Sequence, residues 1–120
     1  MNEEELKKRT KQFALRVMKL AAALPNTTIG RAIRGQLVRA GTSVGANYRA
    51  ACRARSKAEF ISRLGVVEEE ADESAYWMEL IVEGDLMKKH RVAPLHQEAN
   101  ELVAIMTSSR KSASRHSRKA

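Results

Sequence analysis

"LVRAGTSVGANYRAA", Leu37 to Ala51, can be read in two ways. Gly41, Thr42, Ser43, Gly45 and Asn47 are weak helix formers, and a glycine-rich run also suggests a turn or a phosphate-binding loop. Phase decides between them. Placed at about 100° per residue, Ile33, Leu37, Ala40, Val44, Tyr48 and Ala51 form one apolar stripe that passes through the weak segment without losing register. A loop would break that register, so the stretch reads as helix interior. A Walker-type loop would also need Gly-Lys-Ser/Thr after a strand, whereas Ala46 and Asn47 follow Gly45 here. Each glycine disfavours a helix by about 1 kcal/mol relative to alanine. Gly41 and Gly45, four apart on one flank of the stripe, therefore predict a neighbouring backbone that comes close. Thr42 and Ser43 can return their hydroxyls to carbonyls one turn back. The stretch is expected to be a contact surface for another helix.

The flanking sequence supplies that helix and two more. Helix two starts near Ile29, with Thr27 or Thr28 as its N-cap. Before it, Leu6, Phe13, Val17, Leu20 and Leu24 fall on one face of a first helix from about Glu4 to Leu24, which Pro25 ends. Glu3, Glu4 and Glu5 stand at its start, where the helix dipole favours acids. "SKAE", Ser56 to Glu59, has the form of a capping box and opens helix three. Phe60, Leu64, Val67, Ala71, Ala75, Met78 and Val82 make its stripe, and Gly84 is placed to end it. Pro94 suits the first turn of a fourth helix, whose stripe is Leu95, Ala99, Leu102 and Met106. From Ser108 the chain reads "SRKSASRHSRKA", without apolar period, and is expected to be disordered. The predicted fold is all-α: an antiparallel up-down four-helix bundle over residues 1–109, followed by a disordered basic C-terminal tail over 110–120.

Composition agrees. The chain has 120 residues, enough for one domain, and only five aromatic residues and two prolines, a helical vocabulary. No apolar run approaches the roughly 20 residues that span a bilayer, and "MNEEELKKRT" is too charged for a secretory signal. With Cys52 as the sole cysteine, no intrachain disulfide can form. A soluble, cytoplasmic protein with no membrane contact is expected. Of the net charge of +8, the five bases of residues 110–120 supply a large part. Residues 31–57 hold seven bases and no acid, and residues 58–85 hold nine acids against Arg63 alone. Such segregation suits either pairing between helix faces or a basic face turned to a polyanion.

"QLVRAGTSVGANYRAACRARSKAEFISRLGVVEEEADESAYWMELI", Gln36 to Ile81, resembles the signature of small bacterial four-helix bundle proteins first named for reading frames inside intervening sequences of large-subunit ribosomal RNA genes. The accessory variability protein of diversity-generating retroelements is similar. The likeness is densest in "RAGTSVGANY", "KAEF" and "EEADESAYW" and covers all but the basic tail. It implies a left-handed antiparallel bundle, a ring-shaped homopentamer, no enzymatic activity, and a basic surface that binds RNA or DNA or docks on a protein partner such as a reverse transcriptase. One departure is visible. The family commonly has Glu after the Arg of "NYR", where Ala50 stands here, which makes helix two more positive.

The candidate nucleic-acid contacts follow from charge. Arg31, Arg34, Arg39, Arg49, Arg53 and Lys57 lie broadly opposite helix two's apolar stripe, and arginine forks suit phosphate oxygens. They could equally pair with the acids of helix three. The tail bases Arg110, Lys111, Arg115, Arg118 and Lys119 have no acidic sequence neighbours and are the stronger candidates, the alternative being a solvated end. For packing or oligomer contact the candidates are Gly41, Gly45, Asn47, Tyr76, Trp77 and Leu80. Asn47 makes either a local hydrogen bond or a register-fixing one, with Glu70 and Ser74 as partners. Tyr76, Trp77, Leu80 and Ile81 extend apolar character beyond helix three's stripe, which suits a subunit interface or core-edge packing. No catalytic constellation, metal site or cofactor motif is found. Cys52 lacks a paired histidine, His90, His96 and His116 lack zinc spacing, and helix three has no histidine to complete a di-iron site.

Overall fold

The computed structural model describes residues 1–119, with side chains through Arg115. Four helices follow one another: α1 Glu3–Ala22, α2 Thr28–Cys52, α3 Lys57–Glu83 and α4 Lys89–Lys119. Short connections force sequential helices to run antiparallel, and each packs on its neighbour, giving a rod of 53 × 21 × 20 Å. No strand occurs among the described residues.

Three helix starts are fixed by side-chain caps. Asn2 accepts from the Glu5 N–H (2.8 Å), Thr27 from Gly30 (3.0 Å) and Ser56 from Glu59 (3.1 Å). Glu59 reaches back to the Arg55 N–H at 2.8 Å, one residue before the cap, so the return bond of the predicted box is displaced by one residue. At the other end of α1, Arg34 donates to the Leu24 carbonyl (3.0 Å) and to that of Ala21 (3.2 Å), which also accepts from the Leu24 N–H (3.1 Å).

The core is the sum of the four stripes. Phe13 and Val17 of α1, Leu37 and Val44 of α2, Leu64, Val67 and Met78 of α3, and Leu102 and Met106 of α4 are fully enclosed. The glycine stretch is helix throughout, and Gly41 and Gly45 are buried against α1 as the phase required. A Cβ on Gly41 would stand 2.6 Å from Val17 Cγ1, and one on Gly45 would stand 3.4 Å from the Thr10 backbone. Thr42 and Ser43 bond back to Val38 and Arg39 carbonyls (2.7 and 2.6 Å).

Four details differ from the sequence expectation. Ile81, not Val82, is fully enclosed in α3, and Ser74 is buried beside it, its hydroxyl returned to the Glu70 carbonyl at 2.8 Å. Gly84 ends α3 with an ordinary negative φ, and the left-handed residue is Asp85 (φ 58°). The bonds Leu86 N–H to Ile81 O (2.9 Å) and Asp85 N–H to Val82 O (3.1 Å) make this a Schellman turn with aspartate where glycine is usual. Helix α4 begins at Lys89, so Pro94 sits inside it and not in its first turn. The bond it forgoes would have gone to the His90 carbonyl, on an exposed residue near the helix start. Finally, α4 runs to Lys119 through the segment expected to be disordered from Ser108. Glu68 of α3 supplies what the sequence pattern lacked: it accepts from Thr107 Oγ1 (2.6 Å) and from Arg110 Nε (3.1 Å), holding the helix past the last apolar position.

Candidate nucleic-acid interface

The eleven bases marked by the sequence do not act alike. Those near the α1–α2 turn serve the backbone: Arg34 caps α1, and Arg31 donates to the Asn26 carbonyl and side chain at 3.3 Å each. Arg39 faces α3 and pairs with Glu70 (3.1 Å) and Glu73, so its charge is matched within the chain. Arg110 pairs with Glu68 across α3–α4, which holds that carboxylate below its usual titration range, the guanidinium acting first and Thr107 second. Pairing with helix three, one of the two readings open for the helix-two bases, thus applies to Arg39 only.

The remaining bases gather at one end of the rod. Arg49 lies on the last turn of α2, Arg53 and Arg55 on the turn joining α2 to α3, and Lys57 at the start of α3. Because α4 runs antiparallel to α3, its final turns return to the same end; the Arg110 side chain passes Gly65 at 3.9 Å from where a Cβ would stand. Lys111 and Arg115 follow on those turns. All six are exposed, and none has an ion-pair partner among the described residues. The acids nearest this end are engaged elsewhere: Glu59 with Arg63 (3.7 Å) and Glu3 and Glu4 with Lys7 (3.8 and 3.6 Å). Arg118 and Lys119 lie outside the residues whose side chains are described.

Arg55 was missed by sequence reasoning because it falls outside helix two's polar face; the signal available was "RARSK" sitting on a helix–helix turn, where all of its polar side chains are exposed. Arg9 was missed as well. It closes the open seam of the bundle, forking onto Glu98 (2.7 Å) and reaching Glu101 (2.9 Å), so α1 and α4 are joined by charge where apolar contact is sparse.

The packing candidates divide too. Gly41 and Gly45 are helix contacts, as above. Asn47 donates to the Ser43 carbonyl at 2.8 Å, a local bond, and neither Glu70 nor Ser74 is its partner. The cause is one of reach: Glu70 turns to Arg39 and the Ser74 hydroxyl to its own helix. Trp77 lies half-buried against the core, its indole N–H donating to Glu73 (3.1 Å), and Leu80 is half-buried. Tyr76 alone projects, 51% exposed, its ring edge-on to Trp77 at 5.2 Å.

Two further groups complete the chemistry. Burial pushes the Tyr48 phenol and the Cys52 thiol up from their usual ranges, and Glu3 adds to the effect on Cys52. His96 accepts from Asn100 at Nδ1 (3.4 Å), which leaves the Nε2 proton to donate to Glu79 (2.9 Å), a clasp between α3 and α4. Among the described residues no three His, Cys, Asp or Glu side chains converge as metal ligands, and no helix is long and apolar enough to cross a membrane.

Comparison with known proteins places this arrangement. No curated protein matches the chain. A solved structure from the S23 ribosomal protein family of Bacteroides thetaiotaomicron superposes with a TM-score of 0.85 at 31% identity, covering 92% of this chain and 99% of its own. The family model for the 23S rRNA-intervening sequence protein matches residues 2–108, almost the whole bundle. By sequence and by fold, this chain belongs to the 23S rRNA-intervening sequence protein family.

Proposed function

We propose that this chain is a non-enzymatic bundle protein that assembles with copies of itself and binds nucleic acid through the basic end of the rod. One observation carries the reading: Arg49, Arg53, Arg55, Lys57, Lys111 and Arg115 are exposed together, without acidic partners, on an end about 20 Å across. Six cations on so small a face repel one another, and a polyanion relieves that repulsion while releasing its own counterions. Arginine supplies planar forks for phosphate oxygens, and lysine supplies mobile point charges. A pentameric ring, which the family resemblance implies, would repeat this end five times and raise avidity for a long ligand.

The test is binding of a labelled structured RNA and a duplex DNA across a salt series, with the intact chain and with R53Q/K57Q/K111Q/R115Q. The intact chain should lose affinity steeply as salt rises, and each phosphate contact removed should flatten the slope by about 0.9 for duplex. Equal slopes for the two proteins, or no binding near physiological salt, would sink the reading. A second reading, a scaffold for a protein partner such as a reverse transcriptase, is supported by Tyr76, which projects from α3 between the acids Asp72 and Glu79. Tyr76→Ala should then abolish partner capture and leave RNA binding intact.

A further inference from the structure

The close approach of α1 and α2 has an outer side. Where Gly45 meets Thr10, the two helices leave a furrow of about 430 Å³ open to solvent. Its floor is made of small residues, Gly45, Ala46 and Thr42, and its walls carry Lys8 and Lys11 of α1 and Arg49 of α2. Lys7 also reaches it but is occupied by Glu3 and Glu4, the second of which lines one edge. Lys8, Lys11 and Arg49 have no ion-pair partner among the described residues. Arg49 belongs to the basic end as well, so the furrow opens directly onto it.

Two features limit what can lie there. Packed helices stand about 8–10 Å apart, so a furrow between them has the width of one extended chain, and a duplex could touch only its rim. No aromatic ring lines it, so it offers no platform on which bases could stack. Cationic walls over a flat, small-residue floor suit a ribose–phosphate strand that lies with its bases outward.

We propose that the α1–α2 furrow seats the sugar–phosphate backbone of a single nucleic-acid strand, extending the track of the basic end by Lys8 and Lys11. This rests on the reading of the basic end given above and adds to it a preference: single strands over duplex, without regard to base sequence. Lys8 and Lys11 sit three apart on α1, so their ammonium groups follow one line along the furrow. The ligand class is set by that line and by width, not by base-edge donors, which the furrow lacks.

The experiment compares a fluorescein-labelled oligouridylate with an RNA duplex of equal length, across a salt series, against four proteins. These are the intact chain, K8Q/K11Q, A46L, which fills the floor without changing charge, and R53Q/K57Q/K111Q/R115Q. The expected result is that K8Q/K11Q lowers the salt slope for oligouridylate by about 1.4, at about 0.7 per phosphate lost, and leaves duplex binding nearly unchanged. A46L should weaken oligouridylate several-fold and spare duplex, and an oligoadenylate should bind the intact chain as oligouridylate does. Ala46 is exposed, and thermal melts that match the intact chain would show that A46L folds; if it does not, K8Q/K11Q carries the test. The inference is overturned if K8Q/K11Q binds oligouridylate with the intact chain's slope, if both ligands weaken equally, or if polyglutamate competes as well as oligouridylate. Loss of binding in the end variant with no change in the furrow variants would defeat this inference and leave the basic end standing. No binding by the intact chain to either ligand would defeat both.

Discussion

The two hairpins of this bundle hold together by different means. Between α1 and α2 the helices approach closely: Gly41 lies under the Val17 side chain and Gly45 under the Thr10 main chain, while Gly30 lies under the Pro25 carbonyl in the turn that joins them. No side-chain ion pair crosses from α1 to α2 among the described residues. Between α3 and α4, larger side chains fill the seam, and acids are tied across it, Glu68 to Thr107 and Arg110, Glu79 to His96. The consequence for charge is direct. Where backbones do the holding, lysines and arginines stay free for a ligand; where side chains do it, the charges are consumed. Lys8 and Lys11 of α1, Arg49 of α2 and Arg53 and Arg55 of the turn after it stay unpaired in this way, whereas on α3 and α4 the unpaired Lys57, Lys111 and Arg115 lie past the Glu68–Arg110 clasp, at the end of the rod.

This contrast can be broken most severely at Gly30. Its Cβ would fall 2.0 Å from the Pro25 carbonyl oxygen, a backbone atom with no room to yield, so Gly30→Ala should cost about 3 kcal/mol and shift the urea midpoint accordingly. Gly41→Ala comes next. The new methyl meets Val17, stiff at χ1 and fully enclosed, and overpacking of about 2–3 kcal/mol should outweigh the roughly 1 kcal/mol of helix propensity gained. Val17→Ala in the same chain should recover part of that loss, and the coupling is read from the double-mutant cycle. Gly35 provides the control on the same helix. Nothing stands within 4 Å of its Cβ, so Gly35→Ala should stabilise by about 0.5–1 kcal/mol. A destabilised Gly35→Ala would mean that this face is covered by something other than water.

The other hairpin is probed more gently. Asp85→Gly should relieve the left-handed aspartate at the end of α3 and raise stability by about 0.5 kcal/mol, seen in chemical denaturation. The smallest effect is that of pH on Glu68. Its folded pKa is lowered, chiefly by Arg110 and then by Thr107, so its stabilising contribution is present above the unfolded carboxylate value near about 4.3 and is lost as pH falls through the folded value. The gap in melting temperature between the intact chain and Glu68→Gln should therefore be open at neutral pH and close in acid. A gap that persists in acid would show that the clasp works by packing and not by charge.

Apolar phase made the fold legible. Leu37, Val44, Leu64, Met78, Leu102 and Met106 were all marked as inward-facing, Ser56 as a cap and Thr27 as one of two candidate caps, because each is a local property of spacing or of one hydrogen bond. The buried glycines were legible too, since a cost of about 1 kcal/mol in a helix needs an external cause. What escaped was everything decided by a partner far away in sequence. Glu68 and Arg110 are forty-two residues apart, and without that pair the serine-rich end of α4 looks too polar to stay helical. For Asn47 the sequence left a local bond and a reach to α3 both open, because a helical wheel shows a side chain's direction and not its length; the structure has the local one. The helix-two bases looked equivalent for the same reason; only placement shows that Arg34 is a cap, Arg39 is paired and Arg53 is free.

Cys52 gives this molecule a clock. It is the only cysteine, it sits partly buried at the basic end beside Tyr48 and Glu3, and its raised pKa keeps it in the thiol form at neutral pH. The first turns of α1, with Glu3 and Lys7, lie beside this partly covered thiol, so its reaction with an alkylating reagent should quicken when they swing away from α2. Varying the reagent concentration would separate an opening-limited rate from a pre-equilibrium, so the breathing of this one end can be timed without adding a label or changing a residue. The same trace, taken with an RNA strand present, would report whether a bound ligand holds α1 shut.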